Sequence, residues 1–246
     1  MPPIVVAASS FNPTAFAPFP PHGLSLRWFE AFLGDRGLML GIRSSIFFAV
    51  LSTVFSLTIG TLASFAIARY DFKGKNLLDA FILSPLVFPE VALGNALLTY
   101  FTVLDFRNHI IILLIGQTIV ALPYVFRVIL PSFYGISRSF EEAAMNLGAD
   151  EIQTFLRITL PLIKPGLVAG AVLGFSASFN NFAVSVFLVD VATQTLPVRL
   201  MGLMRIALDP TIAAASTFVC LTMVSLLVVV EKIVGIDKLM GGMRWS

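Results

Sequence analysis

The sequence predicts an all-α membrane protein, a polytopic bundle of five full spanning helices and one partial N-terminal helix, and three observations carry that prediction. Of 246 residues, 57% are hydrophobic and only 12% charged, with a mean hydropathy of +0.92; a soluble domain carries about 25% charge. Uncharged apolar runs close to the ~20 residues needed to cross a bilayer recur along the chain. Between two of them lies one long polar stretch, 142–161, with the marks of two short helices.

In order, residues 1–10 are apolar but too short to span, and they lack the basic start of a signal peptide. Pro13, Pro18, Pro20 and Pro21 predict an irregular external loop over 11–37, with a short interfacial helix at 26–33 that sets Trp28 at headgroup level. Residues 44–68 are uncharged between Arg43 and Arg69 and span with tilt. Residues 77–104 form the next span, interrupted near its middle by Pro85, Pro89, Glu90, Gly94 and Asn95. Spans follow at 109–130, at 166–189 after Pro165 in a favoured first-turn position, and at 211–230, before a polar tail over 231–246. In the loop after the fifth span, Leu196, Leu200, Leu203 and Ala207 make the stripe of an interfacial helix, with Arg199 and Arg205 pointing elsewhere.

The polar stretch reads as an elbow. Ser139 and Glu142 have the spacing of a capping box, starting a helix at Phe140. Phe140, Ala143, Ala144 and Leu147 then share one face. Gly148 stops that helix in the left-handed conformation. Asp150 caps a second helix with Gln153 as its partner, Ile152, Phe155 and Leu156 form its stripe, and the chain turns at Pro161.

Glu142-Ala143-Ala144, Gly148, Ile158 and Leu160-Pro161 reproduce the spacing EAA-x3-G-x9-I-x-L-P. This resembles the signature cytoplasmic loop of permease subunits of bacterial type I ABC importers. The resemblance implies that 138–161 docks in a groove of an ATPase subunit, with Phe140, Glu142, Ala143, Ala144, Leu147 and Gly148 as the coupling residues. It further implies a second, homologous permease chain (a heterodimer), two ATPase subunits that hold ATP and Mg, and a periplasmic solute-binding protein. No cofactor on this chain and no nucleic-acid partner is expected. Family members usually have a complete first helix, so residues 1–10 are expected to be its remnant; an unstructured tail is the other reading. The fifth span and the loop after it look most like the spermidine/putrescine group. Polyamine members commonly carry acidic residues where Asn180 and Asn181 stand, which leaves a related amino compound as plausible as a polyamine.

Lysine and arginine orient the chain. The side that holds the elbow, the 69–76 loop and the tail has ten, counting Arg127 and Lys164, and the opposite side six, so the elbow and C-terminus are expected in the cytoplasm of a multi-pass inner-membrane protein. Inside the membrane, Glu90 is the only carboxyl group well within a span. It reads either as a residue of the solute path beside proline-broken helix or as a structural partner of freed backbone groups. Phe179, Asn180, Asn181 and Phe182 lie near mid-membrane in the fifth span and are candidate path residues, with inter-helix hydrogen bonding as the other use of the amides. Arg199 and Arg205 are candidates for contact with the binding protein, or else anchors at the interface. Gly166, Gly170, Gly174 and Ser178 form a small-residue ridge for close helix packing.

Other classes lack their residues. One cysteine, Cys220, and two distant histidines exclude a disulfide within the chain and a multi-cysteine metal site. No G-x4-G-K-[ST] occurs, so ATP hydrolysis belongs to another chain. The competing reading, a stand-alone secondary transporter or channel, calls for internal repeats and coupling-ion carboxyl groups, of which Glu90 is the sole candidate.

Overall fold

The computed structural model describes residues 2–13, 23–206 and 210–234. Pro18, Pro20, Pro21, Ala207 and the tail beyond Val234, with the expected side of the C-terminus, lie outside the described residues. Within them every regular element is helical.

Helices α3 (Arg36–Arg69), α6 (His109–Tyr134) and α10 (Lys164–Asn180) pack pairwise to form the centre. The pattern inverts that of a soluble bundle. On α3 most buried positions are small or polar, among them Ser45, Ser52, Ser56, Gly60 and Ser64, with Leu38, Phe48 and Ile67 as the large apolar exceptions. Phe47, Val50, Val54, Ile59 and Leu62 face outward, as a lipid solvent permits. The ridge on α10 meets α6 of the same chain: Gly166 lies on Ser132, Gly170 on Ile129 and Gly174 on Val125. The descending numbers on α6 show that the two helices run antiparallel.

Among the described residues, two helices are unbroken and apolar enough to span, α3 with 34 residues and α6 with 26. The predicted span 77–104 is instead a pair, α4 (Lys75–Leu83) and α5 (Glu90–Val103), bent by 103°. Pro85 cannot donate to the carbonyl of Phe81; the Ser84 hydroxyl does so instead, at 2.8 Å. A short 3-10 turn, Ser84–Leu86, then leads to Pro89, and α5 restarts with Glu90 as its first residue. The predicted span 166–189 also falls short. α10 ends at Asn180, and its 17 residues rise only about 26 Å, less than the ~30 Å hydrocarbon core. A four-residue helix, α11 (Ser185–Leu188), follows after the extended residue Asn181.

Around this centre lie α1 (Pro2–Ser10), packed on α13 (Thr211–Val234), and α2 (Arg27–Gly34), packed on both α3 and α13. Trp28, expected at the headgroups, is buried, and its indole N–H donates to the Asn12 carbonyl at 2.7 Å. The helix α12 (Leu196–Ile206) lies against α3, with Leu196 buried and Leu200 and Leu203 packed on the same core.

The glycine ridge gives a test of this packing. A Cβ on Gly174 would sit 2.7 Å from Val125 Cγ2, whereas one on Gly202, in α12, would meet nothing. Gly174→Val is expected to destabilise the purified chain by about 1–3 kcal/mol through overpacking, and Gly202→Ala to leave its thermal midpoint level or slightly raised. Equal losses would contradict the helix register.

Candidate functional site

Among the described residues, polar side chains come together at two places in this apolar chain. The first is where the two broken helices meet. Asn181 has left the α10 helix with ψ 112°. Its Oδ1 accepts from the backbone N–H groups of Val184 (3.0 Å) and Ser185 (3.3 Å), an asparagine cap that starts α11. That use of Oδ1 turns Nδ2 toward α5, where it donates to Glu90 Oε2 at 3.0 Å. The helices approach closely because Gly94 has no side chain; a Cβ there would lie 3.0 Å from the Val184 Cα. Asn181 is buried while Glu90 stays exposed on the chain surface.

The four residues 179–182 do not act as one cluster. Asn180 is exposed, with its amide donating to the Ser176 carbonyl at 3.0 Å. Phe179 is buried in one core cluster with Trp28 and Phe32 and stacked on Phe175. Phe182 lines an open pocket with Asp35 and Arg199. The sequence placed all four at mid-span of an unbroken helix; the cap at Asn181 separates them.

A residue that sequence reasoning passed over lies behind this break. Gln117 on α6 is buried. Its Oε1 accepts from the Ser178 hydroxyl, and its Nε2 donates to Ser185 Oγ at 3.1 Å. Ser178 in turn accepts from Ser52 of α3 at 2.8 Å. The available signal was a lone amide in an otherwise apolar span.

The second place is the elbow, formed by α7 (Ser139–Asn146), α8 (Glu151–Thr154), a π-helical turn over Phe155–Thr159, and α9 (Leu160–Leu162). Gly148 has φ +94°, and Asp150 Oδ1 accepts from the Gln153 N–H at 2.7 Å, both as expected. The capping box is absent: Arg138 is the N-cap residue and makes no side-chain cap, and Glu142 is exposed. The neighbouring Glu141 is the structural carboxyl group. It pairs with Arg69 at 2.8 Å, with side chains only 8% (Arg69) and 11% (Glu141) exposed. It also accepts from the Thr159 hydroxyl at 2.9 Å. Arg69 donates further to the carbonyls of Phe133 (3.1 Å) and Ile136 (3.3 Å), closing the end of α6. Arg138 reaches back to the carbonyl of Arg69. The chain does not turn at Pro161. It turns at Ile163, where the segment ending at Leu162 meets α10 at 73°. Pro161 has no N–H for the Arg157 carbonyl, and the wider π turn precedes it.

The first stripe points away from the chain. Phe140 is 57% exposed and Leu147 89%, with Ala143 exposed and Ala144 half-buried between them. The second stripe divides. Ile152 and Leu156 are exposed, whereas Phe155 turns inward onto Phe65, with ring centroids 4.9 Å apart.

On the opposite face, Asp35, Phe182, Gln194, Arg199 and Arg205 border an open pocket of about 400 Å³. Arg199 is turned inward rather than outward. Its Cδ lies 2.8 Å from where a Cβ of Gly41 would stand, and its Nε is buried without a partner among the described residues. Arg205 remains exposed. In the turn before α12, the carboxyl of Asp190 titrates below the usual range. The main cause is the hydrogen bond from the Thr193 hydroxyl, opposed by burial and aided by backbone N–H groups and the nearby His109. No group of three or more His, Cys, Asp or Glu with metal-binding arrangement occurs among the described residues.

Residues 56–234 match the family described as binding-protein-dependent transport system inner membrane component. The chain is 27% identical over 241 residues to the spermidine/putrescine transport system permease protein PotC of Escherichia coli (strain K12), covering 98% of this chain and 90% of that one. It is 30% identical over 204 residues to the putrescine transport system permease protein PotI of the same strain, covering 80% and 73%. A solved bacterial ABC transporter involved in the import of the acidic polysaccharide alginate shares the fold, with a TM-score of 0.73 over 94% of this chain and 89% of that one at 19% identity.

The two carboxyl groups of the elbow have opposite expected weights. Glu141→Leu leaves Arg69 buried and unpaired and is expected to cost about 3–5 kcal/mol. Glu142→Ala, on the exposed face, is expected to cost within about 0.5 kcal/mol. Thermal unfolding of the purified chain in detergent checks both, and the reverse order would refute the assignment.

Proposed function

Because the chain belongs to the family of binding-protein-dependent transport system inner membrane components, we propose that it forms one half of the translocation path of an ATP-driven importer for a small amino-containing solute. The family is one of type I ABC importer permeases, multi-pass proteins of the bacterial inner membrane, and its members are transport subunits rather than enzymes. A stand-alone secondary transporter or channel has no support in it. A polyamine or related compound is the proposed solute class, in line with the relatives PotC and PotI. The proposed partners are a second, homologous permease chain, two ATPase subunits that carry ATP and Mg, and a periplasmic binding protein. The C-terminus is assigned to the cytoplasm.

The observation that carries this proposal is the elbow. An apolar stripe of Phe140, Ala143 and Leu147 stands uncovered, beside a glycine at φ +94°, on a base held by a buried ion pair. An exposed apolar face on a rigid base is what a docking partner needs, and it supports Phe140, Glu142, Ala143, Ala144, Leu147 and Gly148 as the contact with the ATPase. In the path, Glu90 and Asn181 offer a carboxyl group and an amide where two helices break, the arrangement by which transporter helices expose polar groups to a cavity. Asn180, exposed at the end of α10, and Phe182 flank it. Arg205 and the mouth of the outer pocket are the proposed contact with the binding protein; Arg199 acts there by shaping the pocket floor.

Gly148 supplies the test. A Cβ there meets no atom within 4 Å, so any loss comes from backbone conformation and not from crowding. Gly148→Val is expected to strain the turn by about 1–3 kcal/mol and to abolish assembly with the ATPase or solute-coupled hydrolysis. Gly148→Asn, which tolerates positive φ, is expected to keep both. Co-purification with ATPase and uptake assays in proteoliposomes check this; normal assembly and uptake in the valine variant would defeat the coupling role.

A further inference from the structure

The buried amide of Gln117 straddles the break between α10 and α11. Its oxygen accepts from Ser178, two residues before α10 ends at Asn180, and its nitrogen donates to Ser185, the first residue of α11. Ser185 is also one of the two backbone donors to Asn181 Oδ1. Asn181 then donates to Glu90. One continuous chain of hydrogen bonds therefore runs from Ser52 of α3 through Ser178, Gln117, Ser185 and Asn181 to Glu90 of α5. Gln117 lies eight residues into α6, about 12 Å along the helix from its outer end. At that depth no bulk water replaces a lost partner.

We infer that Gln117 is a positioning residue for solute recognition: it holds the two helix ends at the distance that aims Asn181 at Glu90 and presents the Glu90 carboxyl group to an ammonium group. The chemistry is directional. Asn181 Oδ1 is committed to two N–H donors, so its Nδ2 can reach Glu90 only while Ser185 keeps its place relative to the end of α10. Gln117 fixes that relation because its two ends bond to the two sides of the break. An apolar side chain of the same size fills the space without holding either side. Asn181 occupies one carboxyl oxygen, Oε2, and the exposed position of Glu90 leaves the carboxyl group open to a cation.

This inference rests on the proposal that Glu90 lines the solute path, and the experiment separates the two. The purified permease–ATPase complex, without binding protein, is titrated with radiolabelled putrescine as the probe. The chains compared are the parent, Glu90→Gln, Gln117→Leu and the double variant. Glu90→Gln is expected to weaken binding at least about tenfold. Gln117→Leu alone is expected to weaken it about 3–10-fold, and in the Glu90→Gln background to weaken it no further, because a residue that acts through Glu90 has nothing left to position. A merely structural Gln117 would give additive losses instead. Ser185→Ala, which removes the acceptor for Gln117 Nε2, repeats the cycle where Gln117→Leu fails to assemble. If putrescine does not bind the parent, or binds Glu90→Gln unchanged, the path assignment itself falls. If Glu90→Gln weakens binding while the Gln117 and Ser185 variants are additive or silent, the path stands and the positioning role is overturned.

Discussion

The ion pair between Arg69 and Glu141 is the constraint on which the elbow end of this protein depends. A buried pair in isolation gains little, since removing two charges from water costs as much as their attraction returns. Here the remaining polar atoms are also used. Arg69 donates to the carbonyl of Phe133, in the last turn of α6, and to that of Ile136, just beyond it. Glu141 takes the hydroxyl of Thr159 from the π turn. One arginine thus joins the last residue of α3, the end of α6, the start of α7 and the approach to α10. The elbow is fixed from within, so its apolar stripe can stay uncovered. Movement of a partner against Phe140 or Leu147 would reach α3, α6 and α10 as one body.

A second constraint acts at the far end of α10. In a bilayer each broken helix must find new partners for its backbone groups. Ser84 substitutes for the donor that Pro85 lacks, and Asn181 substitutes for the turn that α10 does not complete. The side chains that repair the two breaks also bring a carboxyl group and an amide together at the proposed path. The elbow and the path are joined by α10, which leaves the first at Lys164 and ends at the second at Asn180.

What could be read in the sequence was what neighbouring residues decide. The turn at Gly148 and the cap at Asp150 depend on two to four residues and appear as expected. The unbroken apolar runs of α3 and α6 were visible, though both helices continue past the predicted ends, since polar residues outside the hydrocarbon core do not stop a helix. The proline break near Glu90 was visible as an interruption, but its 103° bend was not, because the angle depends on packing against α6 and α11. The choice between Glu141 and Glu142 failed for a related reason. The local spacing favoured Glu142 as a capping residue, while Arg69, 72 positions away, selected Glu141. The break at Asn181 carried no proline or glycine, and composition alone does not reveal when an asparagine will take its own backbone as partner. Gln117 was legible only as an isolated amide, because both of its partners come from another part of the chain.

The central claim is that the exposed stripe of the elbow is the surface an ATPase subunit grips while the inner stripe stays within this chain. Cysteine cross-linking in native membranes tests it most directly, with Cys220 replaced by alanine so that a single thiol is present in each variant. Leu147→Cys is predicted to cross-link efficiently to the ATPase chain. Phe155→Cys, turned inward onto Phe65, is predicted to give no such product. Cross-linking from Phe155→Cys but not from Leu147→Cys would show that the partner meets a different face, and the account of coupling would be contradicted.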